Sequence, residues 1–232
     1  TEPVTSKVKG YMTWDHVRRL RDEGVTIGAH SHTHFSYATL KPDEVRADLA
    51  TAAALYKQEL GAVPALFAYP FGEWNLASRD IVEQAGFQVA FGQHSGVMQA
   101  GQDFFWQPRF PMNETYGDIK RLRQALNALP FPARDIEPRE VLLRQGQPGN
   151  PPALRFSLPA EIKYQDRMTC YPSHQSGLIA VKGIPGKTAD ERRFEVKPAT
   201  PFPEGRGRIS CTLPTDESGR FRWFGIQFLV VK

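Results

Sequence analysis

Between residues 13 and about 129 the chain alternates helical and strand-like periodicities with joints of only a few residues. This limits the possible folds more than any other feature. Thr13 is suited to cap a helix whose Trp14, Val17 and Leu20 share one face, and Gly24 ends it. Residues 25–28 read as a short strand running into a polar, histidine-rich turn. Pro42 opens a second helix that places Val45, Leu49, Ala52, Ala53, Tyr56 and Leu60 at helical spacing before Gly61 stops it. Residues 64–69 form an apolar strand ending in the turn Pro70-Phe71-Gly72. A helix over 76–85, a strand over 87–91 ending at Gly92-Gln93-His94-Ser95-Gly96, and a helix over 118–129 follow. Such repetition predicts a parallel sheet or barrel with helices outside. Chemistry in such folds collects at the C-terminal ends of the strands. The polar clusters 30–34, 69–72 and 93–95 all fall at those ends.

After Leu143 the texture changes. Residues 146–152 have the composition of a linker, and seven short β-like runs separated by proline and glycine follow, as in a β-sandwich. The predicted organisation is an α/β domain over 1–145, a linker over 146–152 and a small β-sandwich domain over 153–232. Cys170 and Cys211 both lie in the last of these. They permit one disulfide in an oxidising compartment or stand as two buried thiols.

No apolar run approaches the roughly 20 residues of a membrane helix. The net charge of +4 is spread among interspersed acids, as in Arg18-Arg19-Leu20-Arg21-Asp22-Glu23, with no finger spacing and no aromatic–basic motif, so nucleic acid is not an expected partner. The chain begins at Thr1, which is read as the mark of a processed protein whose leader is gone.

His30-Ser31-His32-Thr33-His34 sets three of the six histidines within five positions. If the segment turns helically, His30 and His34 share a face, and imidazole is a favoured zinc ligand. A hydrogen-bonded polar loop is the alternative. Catalytic zinc usually takes a third protein ligand and keeps a position for water. Asp15 reads as a first-turn acid, and Asp22 and Glu23 lie on a charged face, so none of them supplies that ligand.

The segment Gly28-Ala29-His30-Ser31-His32-Thr33-His34 resembles the His-[Ser/Thr]-x-x-His motif of the polysaccharide deacetylases, the NodB-homology family. Residues 67–72, Phe-Ala-Tyr-Pro-Phe-Gly, are similar to the family's third motif, and residues 86–92 with Pro108-Arg109-Phe110-Pro111 are similar to later ones. The likeness spans about residues 8–129. It implies a distorted (β/α) barrel that removes acetyl groups from N-acetylglucosamine units of a polysaccharide. His30 and His34 would hold a divalent metal, zinc, which polarises the acetyl carbonyl and activates water. The Phe71 backbone N–H would hold the oxyanion, and His94 would protonate the leaving amine. The family's opening Thr-Phe-Asp-Asp segment, source of the third ligand and the base, is not found, so the barrel is expected to be incomplete at its N-terminus and to need that segment as a partner. Ala68 stands where an arginine often tunes the base, and Arg109 is the candidate substitute.

Bacterial exopolysaccharide is the preferred substrate, and a periplasmic or secreted location follows from the resemblance. Trp74, Phe104, Phe105, Trp106 and Tyr116 are candidate stacking surfaces for sugar rings. The rival reading is a non-catalytic carbohydrate-binding relic of the same fold. Another metallohydrolase on the same barrel is weaker still. Residues 1–232 alone are expected not to turn over N-acetylated oligosaccharide, and full turnover in a deacetylase assay would overturn that expectation.

Overall fold

The computed structural model describes residues 1–232, which form two compact units: residues 1–92 with 103–107, and residues 93–102 with 108–232.

In the first unit, helix α1 (Glu2–Thr5) precedes α2 (Trp14–Asp22). Thr13 caps α2 as its sequence suggests: its Oγ1 accepts the His16 N–H, while the Thr13 N–H donates to His16 Nδ1. Helix α3 (Pro42–Leu60) starts at its proline and ends at Gly61, whose φ of 83° no other residue adopts cheaply. Strand β1 (Leu66–Ala68) leads through a single 3-10 turn, Pro70–Gly72, to α4 (Leu76–Gln84), capped by the Asn75 side chain on the Ser78 N–H at 2.8 Å. Strand β2 (Val89–Phe91) pairs in parallel with β1, Phe67 opposite Ala90. The expected strand at 25–28 is not formed. Only Ala29 bridges to Phe67, so this unit's sheet has two strands plus single bridges at Ala29 and Gln107. The core gathers on Phe67, whose ring meets Tyr37 at 5.7 Å, Tyr69 at 5.2 Å and Phe87 at 5.1 Å.

The second unit holds α5 (Ile119–Asn127), capped by Asp118, and strands β3 (Leu129–Pro130), β4 (Arg134–Glu137), β5 (Leu142–Arg144), β6 (Leu154–Pro159), β7 (Thr169–Pro172), β8 (Val181–Ile184), β9 (Glu191–Val196), β10 (Gly205–Pro214) and β11 (Phe221–Val231). One sheet runs β3-β11-β10-β7 with β5 also on β11, and the other runs β4-β6-β9-β8. β10 alternates buried and partly exposed residues, as a strand with one wet face does, whereas β11 is buried without a break from Trp223 to Val230. Rings of Phe156 on β6 and Phe224 on β11 meet at 5.6 Å, with Phe131 against both.

Two readings of the sequence change here. The division falls well before the linker at 146–152, because β3, β4 and β5 hydrogen-bond to strands that follow it. Residues 162–164 make a turn rather than a strand. The other six expected runs form strands β6 to β11.

Cys170 on β7 lies directly opposite Cys211 on β10, both fully buried, and they form a disulfide. The bond closes a loop with a sequence separation of 41. Chain-entropy arguments for a loop of that size give about 4 kcal/mol of stability. Cys170→Ala with Cys211→Ala is therefore expected to lower the unfolding free energy of the second unit by about 2–4 kcal/mol. Urea unfolding followed by tryptophan fluorescence checks this; an unchanged midpoint would show that the bond contributes nothing.

Candidate functional site

The histidine-rich segment leaves Ala29 and is not helical. The sequence expectation that a helical turn would align His30 and His34 is corrected, although the two rings do meet: their centroids are 4.8 Å apart. The backbone achieves this with left-handed conformations at Ser31, φ 66°, and His34, φ 63°. Such residues cost about 1–3 kcal/mol each and persist where surrounding structure compels them. Ser31 Oγ accepts the His34 N–H at 2.9 Å across the turn.

His30 Nδ1 lies 2.6 Å from the Ala68 carbonyl at the end of β1. A carbonyl only accepts, so Nδ1 carries the proton and Nε2 keeps the lone pair that a metal would take. The position where an arginine was sought thus acts through its backbone. Phe71, at the crown of the turn after β1, also adopts a left-handed φ of 58°, and its half-exposed ring packs edge-on against His34 at 4.6 Å. His30, His34 and Phe71 are therefore brought together.

Asp48 was missed in the sequence. It lies on the inward face of α3, three residues from Val45 and four from Ala52, and is 7% exposed. An acid at a core position of an amphipathic helix was the available signal. Burial alone would raise its pKa, but hydrogen bonds from His32, Thr33 and Tyr37 outweigh burial and hold the carboxyl below its ordinary value. Tyr37 is pushed up by burial and by its bond to Asp48, so it stays a neutral donor.

A cavity of about 540 Å³ opens beside the histidines, lined by apolar Val17, Leu20, Val25 and Ile27 along with Trp14 and Tyr56. A second cavity of about 580 Å³ lies between α3 and α4 without a histidine, so volume alone does not mark the site. The chain contains no group of three or more His, Cys, Asp or Glu side chains arranged to hold a metal. Two imidazoles fit such an ion as part of a ligand set, and the third protein donor is not supplied by these residues.

His94 and Arg109 belong to the second unit, where the Arg109 N–H donates to the His94 carbonyl at 3.1 Å. His94 is 2% exposed. Burial first, then the charges of Arg208 and Arg109, push its pKa from 6.5 down to about 3. Held neutral at pH 7, it is a poor proton donor. Arg109 is itself lowered by burial. Asp103 makes a two-pronged pair with Arg79 at 2.7 and 2.9 Å. The aromatic candidates divide: Trp74 and Phe105 are buried in the first unit and cannot face a sugar, while Phe104 and Tyr116 are exposed. Phe35, beside His34 in sequence and 62% exposed, was overlooked.

Because the folded pKa of His94 lies below its unfolded value, the unfolded chain takes up a proton between pH 6.5 and 3 that the folded chain refuses, and stability falls as pH falls through that window. His94→Gln is expected to show a shallower decline of unfolding free energy across it than the parent chain. Identical slopes would show that His94 titrates normally.

Residues 3–90 match the family model described as polysaccharide deacetylase. Comparison with curated proteins finds no match. Among solved structures, the Streptococcus pyogenes deacetylase PplD, determined in complex with acetate, is similar with a TM-score of 0.50 at 15% identity, covering 54% of this chain and 55% of that one. IcaB from Ammonifex degensii gives a TM-score of 0.43 at 20% identity over 50% of this chain and 52% of that one. The deacetylase domain of BpsB from Bordetella bronchiseptica gives 0.39 at 19% over 43% and 48%. The chain spans about half the length of these structures, and the first shows a shared fold alone. No helix is long and apolar enough to cross a membrane. The likeness to the polysaccharide deacetylase family model is thus carried by residues 3–90.

Proposed function

We propose that the chain carries the histidine half of a metal-dependent N-deacetylase acting on an N-acetylglucosamine-containing polysaccharide. One observation carries the reading: the His30 and His34 rings meet edge-on with centroids 4.8 Å apart, and Nδ1 of His30 lies against the Ala68 carbonyl, the tautomer in which Nε2 suits a metal. A bound divalent ion, zinc in this reading, supplies Lewis-acid polarisation of the acetamide carbonyl and of water.

The chain's own residues orient the substrate. The Phe71 backbone N–H, at the crown of its turn, is assigned to the developing oxyanion in this reading. The exposed rings of Phe71 and Phe35 flank His34 in space and in sequence and suit a pyranose face. His94 is not carried forward as the acid, because burial holds it neutral, and Arg109 stays with it in the second unit. A third ligand and a base are required, and a carboxylate-bearing segment from outside these residues is the partner the reading calls for.

The two packed sheets of the second unit are read as a β-sandwich accessory to the barrel. A periplasmic or secreted location agrees with the Cys170–Cys211 bond. The carbohydrate-binding relic remains a rival on one observation, the lack of a three-donor cluster.

Zinc titration separates the two. One ion per chain is expected, with affinity falling more than about 100-fold in His30→Ala and in His34→Ala, beyond what loss of a group behind the ligands costs. A chain that binds N-acetylated oligosaccharide with no histidine-dependent metal uptake would refute the hydrolase in favour of the relic.

A further inference from the structure

We propose that Asp48 is the positioning residue of the histidine loop: its carboxylate holds residues 31–34 in the conformation that turns the His30 and His34 rings toward each other. The functional meaning of this rests on the metal reading above. The geometry behind it does not.

Asp48 Oδ1 accepts the His32 N–H at 2.9 Å and the Tyr37 hydroxyl at 2.5 Å, and Oδ2 accepts the Thr33 N–H at 2.9 Å and the Thr33 hydroxyl at 2.6 Å. All four donors come from residues 32–37. A buried carboxylate is tolerated only when hydrogen bonds replace its water, and here a single loop supplies these four. The two consecutive backbone N–H groups lie between the left-handed residues Ser31 and His34, the two places where the chain bends against its own preference. The loop would relax toward ordinary conformations if released, and either bend undone would carry one ring away from the other. The carboxylate thus offsets the cost of the bends at the point where they meet. The Tyr37 ring, stacked on Phe67 at 5.7 Å and fully buried, ties the far end of the loop to the core. α3 is thereby the rigid element on which the loop is mounted.

The charge form matters as much as the size. Asparagine would keep one acceptor but turn an N–H2 group toward a backbone or hydroxyl donor. Asp48→Asn is expected to raise the zinc dissociation constant at least about tenfold, as loss of groups behind metal ligands does. It should also speed hydrogen exchange at the His32 and Thr33 amides. Thr33→Val and Tyr37→Phe, each removing one of the four bonds, should raise the constant about two- to threefold.

The test measures zinc affinity of the full chain by competition with a chromophoric chelator, and amide exchange of the metal-free protein. Parent-like zinc affinity in Asp48→Asn would overturn the proposal while leaving the metal reading intact. If the parent chain shows no His30-dependent zinc binding, the metal reading fails, and exchange alone decides: faster exchange at His32 and Thr33 sustains the positioning role, and unchanged exchange rejects it. Should Asp48→Asn not fold, Thr33→Val and Tyr37→Phe carry the same readouts, and parent-like values in both would reject it.

Discussion

A carboxylate taken out of water must find donors, and Asp48 finds them in the backbone of the segment that bears the histidines. The rest of the first unit's site follows from that exchange. With the loop held on α3, His30 reaches the Ala68 carbonyl at the end of β1, and His34 reaches the ring of Phe71 in the next turn. Three stretches distant in the sequence are joined by a few short contacts, and each contact sets an angle or a tautomer as well as a distance. The apolar surroundings, with Phe67 at the centre, supply the stiffness.

What could be read from the sequence followed from local physics. Thr13 and Gly61 announce helix ends because capping and left-handed backbone are single-residue properties, and both act as caps in the structure. The clustering of His30, His34 and Phe71 was legible because parallel β/α units deliver the ends of their strands to one side. Residues 25–28 misled because their β-branched composition reports a preference for extended backbone, while a strand also needs a neighbour to bond, and only Ala29 has one. Asp48 was hidden because a charge in a helix reads as solvent-facing until its partners, 11 to 16 positions away, are known.

The second unit shows where composition misdirects. The proline- and glycine-rich stretch at 146–152 looks like a seam between domains, yet it is a turn inside one unit, since β3, β4 and β5 precede it and pair with strands beyond it. His94 shows the same limit for chemistry. Its place at the end of a strand, among Gln93, Ser95 and Gly96, made it the candidate acid, but burial near Arg109 and Arg208 leaves it without a charge at neutral pH.

The placement of β11 has a consequence for biosynthesis. β11 is the hydrogen-bonding partner of β10, of β3 and of β5, so segments near residues 130 and 143 cannot complete their ladders until residues 221–231 exist. A ribosome delivering the chain from its N-terminus would expose those unpaired edges until residues 221–231 had emerged. Closure over nearly a hundred residues also makes assembly of the sheet slow compared with helix formation in the first unit. A premature stop before Phe221 would leave β3 and β5 without a partner and one edge of β10 open, and aggregation through those edges would be its expected fate.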